Sequence, residues 1–255
     1  MMFQIEADVA QTSLWQKAFC EHSDRSPERD FLAASYCSLR ELAIPIVQGI
    51  RSDLKGITVH DIGHVNQLWH VASVISGPDF EINPLEGFLL GAAFLLHDSG
   101  LALHAYEGGI EALKERPEFR DALFSQLQQR GSAQRLDLSE ASEPEIQRAV
   151  FDVLRRIHAD QVRHLLERTW PHHLHPSTSV RLIADPALLA EYEEVLAKIC
   201  ASHHWPIEEL EKEFAHEIVP SSRFRDWSVQ PLKLACLLRC ADAVAIDDFP
   251  CFTDK

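Results

Sequence analysis

The spacing of apolar positions along the chain predicts helices almost from end to end. Residues 27–56 form a long amphipathic segment, in which Pro45 predicts either a kink or a break between two helices. Thr58 can cap a second helix, which we expect to end at about Ser76 because a Gly-Pro pair follows it. The chain contains no repeat and no strand-like alternation, so we predict an all-α fold.

One segment is predicted to be a central helix of the fold. Asn83 can cap it, with Pro84 at the first helical position and Glu86 at the third, a pattern typical of a capping box. The residues that follow, GFLLGAAFLLHD at 87–98, are apolar on every side of the helix, which predicts that it is buried. The His97-Asp98 pair therefore stands at the C-terminal end of a buried helix.

The second half of the chain has the same helical spacing after a more polar stretch. Residues 108–141 are interpreted as an excursion or a flexible loop that carries no chemistry. Further helices are predicted from Ser142 to Trp170, from Asp185 to the His203-His204 pair, and then to about Val219, with a loop at 171–179. The last predicted helix, PLKLACLLRCADAVAID at 231–247, carries Asp242.

The domain organisation that we expect is simple. Residues 57–248 form the main domain, residues 1–56 form helices that pack on it, and residues 249–255 are a tail. Since 46% of the 255 residues are apolar, the chain can bury a continuous core, and we interpret the first two segments as one domain.

Composition excludes several classes of protein. The N-terminus lacks a signal-like apolar segment, and the longest run of apolar residues and glycine, residues 87–96, is shorter than the roughly 18 residues that a membrane-spanning helix needs. We therefore expect a soluble, cytoplasmic protein without a membrane partner. The six cysteines include no CxxC pair, so neither a disulfide framework nor a zinc ribbon is indicated. The net charge of -15 opposes binding to nucleic acid but permits small phosphorylated ligands.

Two aspartates stand in or directly after apolar helices. Isolated buried carboxylates are costly, and a metal ion bound to Asp98 and Asp242 would remove that cost. The alternatives are a helix cap or a salt bridge for each, and Arg239, three residues before Asp242, is the obvious partner for the second.

The histidines are more informative as a set than singly. His60 and His64 share a helix face, but a pair at that spacing arises easily by chance, and each of the others is more often structural when taken alone. The ordered set, with each member on a different predicted helix, is His64, His97-Asp98, His158, His203 or His204, and Asp242.

This ordered set resembles the HD superfamily of metal-dependent phosphohydrolases. The segments that carry the resemblance lie between about residues 58 and 248: HVNQL at 64–68, LLHDSG at 95–100, RRIHADQV at 155–162, CASHHW at 200–205 and LLRCADAVAID at 237–247. Leu101 stands where many members of the family have a lysine, so the resemblance assigns no phosphate contact there.

The resemblance implies a site for one or two divalent ions (Mn, Fe, Zn, Mg or Ni). The first would be held by His64, His97, Asp98 and Asp242, and the second by Asp98, His158 and His203 or His204. Asp98 would bridge the ions, and a water between them would attack phosphorus. His60 could reach the substrate or the second ion, and Arg239, more than Arg155 or Arg156, could hold a phosphate.

The resemblance implies that the fold is an HD-domain-like helical bundle with a central apolar helix, and it also implies a function and two alternatives. The leading hypothesis is a hydrolase that acts on a phosphomonoester, a nucleotide or a cyclic nucleotide. The alternatives are an HD-fold di-iron oxygenase and a non-catalytic sensing domain. TVHDIGH at 58–64 and the last helix look most like a bacterial subgroup found next to GHKL-type ATPase domains. We therefore expect either a stand-alone protein with such an ATPase partner or a fragment that lacks a C-terminal domain.

Overall fold

The computed structural model describes residues 7–21, 25–54, 61–129, 141–172, 175–215 and 218–247. The helices of this part of the chain are α1 Ala7–Ala10, α2 Ser13–Phe19, α3 Ser26–Asp53, α4 Ile62–Ser76, α5 Pro84–Leu96, α6 Gly109–Lys114, α7 Pro117–Gln129, α8 Glu143–Ile157, α9 Val162–Glu167, α10 Pro186–Ala201, α11 Ile207–Phe214 and α12 Pro231–Asp247. Short 3-10 turns lie at Ser99–Leu101, Leu103–Ala105, Ala159–Gln161 and Ser202–His204.

Two small antiparallel sheets accompany the helices. Strand β1 (Thr169–His172) pairs with β2 (His175–Arg181), and β3 (Val219–Pro220) pairs with β4 (Ser228–Val229). The sequence predicted no strands, so these hairpins are a correction to the loop predicted at 171–179 and to the helix predicted to reach Val219. The all-α prediction is confirmed for the fold as a whole, because the sheets are two-stranded and short.

Helix α5 is the central helix, as its sequence predicts. Every residue from Pro84 to Leu96 is buried, and α2, α3, α4, α10 and α12 all pack against it. The predicted capping box is present: the Asn83 side chain accepts from the main-chain N–H of Glu86, and the Glu86 carboxylate accepts from that of Asn83. The buried apolar residues form one cluster that includes both Val9 and Ala245. The core thus fixes where α5 ends.

Helix boundaries near the site decide between two alternatives and correct one prediction. Helix α3 continues through Pro45, so of the predicted kink or break the break is excluded. Helix α4 begins at Ile62, and its N-cap is Asp61, whose carboxylate accepts from the main-chain N–H groups of Gly63 and His64. Thr58, the predicted cap, lies outside the described residues. The cap at Asp61 places His64 in the first turn of α4.

Residues 108–141 contain helices rather than only an irregular excursion. Helices α6 and α7 lie there; α7 packs on α8, and its buried side chains include Phe119, Leu123 and Leu127. Their spacing of four residues is helical, but the polar residues between them hid the pattern. Residues 130–140 lie outside the described part of the chain.

Two predicted helices also end earlier than expected. Helix α8 ends at Ile157 rather than Trp170, and α10 ends at Ala201, before the His203-His204 pair. No helix in the described residues is both long and apolar enough to cross a membrane.

Candidate metal centre

The chemistry-bearing side chains meet where several helices end. His97 is the C-cap residue of α5, and His158 is the C-cap residue of α8. His203 and His204 lie in the 3-10 turn that follows α10. His64 comes from the first turn of α4, and Asp242 from the last third of α12. Histidines at helix ends can turn their rings out of the helical ladder towards a common point.

The first cluster consists of His64, His97, Asp98 and Asp242, whose candidate ligand atoms all lie within 4.8 Å of one another. Oδ1 of Asp242 is 3.4 Å from Nε2 of His64 and 3.6 Å from Nε2 of His97. Oδ2 of Asp98 is 3.1 Å from Nε2 of His97. Both imidazoles are almost fully buried, with side chains 3% and 1% exposed.

The second cluster consists of His158, His203 and His204. Nε2 of His158 is 3.2 Å from Nε2 of His203, and the ring of His204 packs against both rings. The side chain of His203 is only 4% exposed, whereas His204 is exposed. The sequence left open which of the two faces inward, and the structure identifies His203.

Asp98 lies between the two clusters and presents one oxygen to each. Its Oδ2 faces His97 of the first cluster, while its Oδ1 is 3.3 Å from Nε2 of His158 and 3.6 Å from Nε2 of His203. Asp98 does not act as a helix cap, which was one of the alternatives for this residue, because its side chain makes no capping hydrogen bond to the turn that follows. The carboxylate of Asp98 therefore joins the clusters into one centre.

The main chain fixes the orientation of the inner imidazoles. In these rings Nδ1 lies against main-chain carbonyls three or four residues earlier: His97 against Ala93 at 3.2 Å, His158 against Leu154 at 3.0 Å, and His203 against Cys200. A carbonyl can only accept, so each Nδ1 carries the proton and donates it. The lone pair of each neutral ring is then on Nε2, which points into the centre, as in histidines that bind metals.

Because the protons are on Nδ1, several hydrogen-bond acceptors of the centre face one another without a donor between them. The Nε2 lone pairs of His158 and His203 point at each other and at Oδ1 of Asp98. Nε2 of His97 and Oδ1 of Asp242 are buried and make no hydrogen bond within the described residues. Such an arrangement repels itself unless a cation, either a metal ion or a proton, lies among the acceptors. Imidazole and carboxylate donors in this number suit zinc, iron, manganese and similar divalent ions.

The charges of the centre shift the pKa values of its members. Burial alone would lower the pKa of His97, but the carboxylates of Asp98 and Asp242 outweigh it and raise that pKa well above its usual value. Burial alone would raise the pKa of Asp242, but the imidazoles of His64 and His97 hold it well below its usual range. Burial, with neighbouring His203 and His158, lowers the pKa of His204 to about 4. The first cluster is thus built to hold positive charge.

Gly100 allows the two clusters to approach. A Cβ atom at this position would lie 2.4 Å from the carbonyl oxygen of His158 and 2.8 Å from its Cα, both main-chain atoms that cannot move aside cheaply. Without a side chain here, the turn after Asp98 can pack directly on the C-terminal end of α8. Gly100 was not among the site residues predicted from the sequence, although a glycine two residues after the His-Asp pair was a usable signal.

The arginines that were predicted to hold a phosphate make other contacts in the described residues, and their predicted role stays a prediction. Nη1 of Arg239 donates to the main-chain carbonyls of Ser202 and Trp205, and not to Asp242. Arg155 is exposed and stacks over Phe151, with its guanidinium carbon 5.7 Å from the ring centre. Arg156 is exposed as well. His60 lies outside the described residues, so its predicted role stays a prediction.

Comparison with known proteins gives one match. The sequence model of the family described as HD-CE matches residues 52–249, a range that contains both clusters. No curated protein and no solved structure matches the chain.

Proposed function

The chain belongs to the HD-CE family, and from this membership we propose that it is a metal-dependent phosphohydrolase with a two-ion site. The observation that carries the proposal is the position of Asp98, whose Oδ2 faces one cluster of acceptors and whose Oδ1 faces the other. A carboxylate shared in this way is typical of two-metal sites that cleave phosphate esters.

Each cluster supplies the ligands for one ion in this proposal. His64, His97 and Asp242 hold the first together with Asp98, and His158 and His203 hold the second on the other oxygen of Asp98. His204 completes the second cluster at its exposed edge. When loaded with divalent ions, such a site supplies positive charge for phosphoryl oxygens and lowers the pKa of water.

The chain's own groups prepare the centre for this chemistry. The Nδ1–H donations to the carbonyls of Ala93, Leu154 and Cys200 hold the inner rings in one orientation, so little reorganisation is needed when ligands bind. Because the first cluster is buried and His204 is exposed, the substrate approaches from the second cluster. With its low pKa, His204 is neutral at pH 7 and can serve as a ligand there.

Metal analysis combined with a substrate screen tests the proposal. We expect purified protein to contain about two divalent ions per chain and to release phosphate from a phosphomonoester, a nucleotide or a cyclic nucleotide. The Asp98→Ala variant should lose both ions and the activity, whereas Asp160→Ala, which removes an exposed carboxylate in the turn after α8, should keep both. The proposal fails if the wild type holds no more metal than Asp98→Ala.

The second cluster consists mainly of histidines, and this favours a test of the di-iron oxygenase alternative. Imidazoles suit iron, and a di-iron pair in the same ligands could activate oxygen. Two irons per chain, an oxygen-dependent change in the visible spectrum and no phosphate release would support this oxygenase.

The non-catalytic sensing role, with a GHKL-type ATPase as partner, stays a prediction. It would be supported if Asp98→Ala abolished control of the partner while the wild type hydrolysed none of the phosphate esters.

A further inference from the structure

Arg239 links the two clusters through the main chain. It lies on α12, one helical turn before Asp242 of the first cluster. Its Nη1 donates to the carbonyl of Ser202 and, at 2.8 Å, to that of Trp205. These carbonyls stand on either side of the His203-His204 pair, so the guanidinium spans the turn that carries the second cluster.

Two donors close the turn at this place. Helix α10 ends at Ala201, and the carbonyl of Ser202 accepts both from the main-chain N–H of Trp205, at 3.1 Å, and from Arg239. Ser202 is fully buried, so water does not reach this end of the helix. A cation there satisfies the carbonyls and also interacts favourably with the negative end of the helix dipole. Arg239 therefore caps α10 from a neighbouring helix.

The capped turn sets the direction of His203. The hydroxyl of Ser202 donates to the carbonyl of Ile199 at 2.7 Å, and Nδ1 of His203 donates to the carbonyl of Cys200. With both anchors in place, Nε2 of His203 is 3.6 Å from Oδ1 of Asp98. A small rotation of the turn would move this nitrogen out of reach of an ion on Asp98.

We propose that Arg239 is a positioning residue: it holds the turn at 202–204 so that His203 binds the second ion, and it makes that binding depend on α12. Arg239, one turn from Asp242, keeps the turn in the geometry that the second ion needs. This inference rests on the proposed two-ion site but not on the reaction.

A titration of metal-free protein with Co²⁺ tests the inference. The visible absorption of bound Co²⁺ follows each binding step, and the variants Asp242→Asn and His158→Gln assign the steps to the first and second clusters. The test variant is Arg239→Gln, and the matched control is Arg156→Gln, which removes the same charge from an exposed position on α8. Thermal unfolding of the metal-free proteins shows whether the fold is kept.

We expect Arg239→Gln to weaken the second binding step about 10- to 100-fold, the range typical when an outer partner of a ligand is removed, and to leave the first step unchanged. Arg239→Lys should restore part of the loss, because an ammonium group can still donate to these carbonyls. Arg156→Gln should match the wild type in both steps.

Other outcomes separate the inference from the proposed function. If Arg239→Gln binds both ions as the wild type does but needs more phosphate ester for half-maximal rate, Arg239 contacts substrate and the inference is overturned. If Arg239→Gln and Arg239→Lys lose both binding steps together, Arg239 supports only the fold and the inference is also overturned. If the wild type shows no binding step at all, the proposed two-ion site itself fails.

Discussion

The two clusters of the centre differ in charge and in exposure. The first sets two carboxylates, Asp98 and Asp242, against two buried imidazoles, whereas the second offers imidazoles only, apart from its share of Asp98. Its outermost member, His204, is exposed. Because carboxylates add negative charge to a buried site, we infer that the first cluster holds its ion tightly and the second meets the substrate.

The largest expected effect comes from removing one ligand of each cluster. Asp242→Asn takes away an anionic ligand of the first cluster, so we expect the affinity of the first ion to fall by more than about 100-fold. This exceeds the loss of affinity that is typical when only a hydrogen-bond partner of a ligand is removed. His158→Gln should abolish binding of the second ion and leave the first in place. Isothermal titration with Mn²⁺ measures both, with Asp160→Asn as the control. Equal losses of both ions in the two variants would contradict the comparison.

The pH dependence of ion binding should also differ between the clusters. Because the carboxylates of Asp98 and Asp242 outweigh burial and raise the pKa of His97, this ring keeps a proton to higher pH than an ordinary histidine, and the first ion competes with that proton. Its affinity should therefore rise about tenfold per pH unit until the pH passes that pKa, and level off above it. His204, with a pKa of about 4, has no proton to lose at neutral pH.

Proton release is measured by calorimetry with Mn²⁺ in PIPES and in Tris, whose ionisation enthalpies differ. We expect the enthalpy of the first binding step to depend on the buffer at pH 7. A first step with the same enthalpy in both buffers would show that His97 is already neutral in the metal-free protein.

A smaller effect is expected when the contact between the two clusters is disturbed at Gly100. In Gly100→Ala the new Cβ would overlap the main chain of His158, so the turn after Asp98 must move away from α8. We expect the second ion to bind about tenfold more weakly, since Asp98 is then displaced from His158 and His203, while the first ion is retained. Isothermal titration with Mn²⁺ checks this expectation. An unchanged affinity in the second binding step would show that the turn after Asp98 adapts to the new side chain.

The smallest expected effect lies outside both clusters. Asp61→Ala removes the N-cap of α4 and should lower the free energy of unfolding by about 1 kcal/mol. Because α5 and α12 still position His97 and Asp242, the content of metal ions should not change. Urea unfolding and metal analysis of the same sample test both parts, and a lost ion would mean that the cap itself positions His64.

The sequence predicted the first cluster well for identifiable reasons. The Asn-Pro-Leu-Glu start at 83–86 and the apolar residues after it define α5, which fixes His97 and Asp98 at its end. The last helix was equally easy to predict from the sequence, because apolar residues lie on most of its sides around Asp242. In both cases a carboxylate in apolar surroundings was the signal, and it can be read without knowing the fold.

The second cluster was harder to predict, because its geometry depends on where helices stop. The stop of α8 at Ile157 and the 3-10 turn at Ser202–His204 interrupt segments whose apolar spacing continues across them. Contacts from distant parts of the chain lie at both stops, namely Gly100 against His158 and Arg239 on the carbonyl of Ser202. Local spacing contains no information about such contacts.

A crystal structure of the Mn²⁺-loaded protein, with anomalous diffraction data, tests the central claim most directly. The account predicts two anomalous peaks, one beside Oδ2 of Asp98 among His64, His97 and Asp242, and one beside Oδ1 near His158 and His203. A single peak, or two peaks of which neither contacts Asp98, would contradict it.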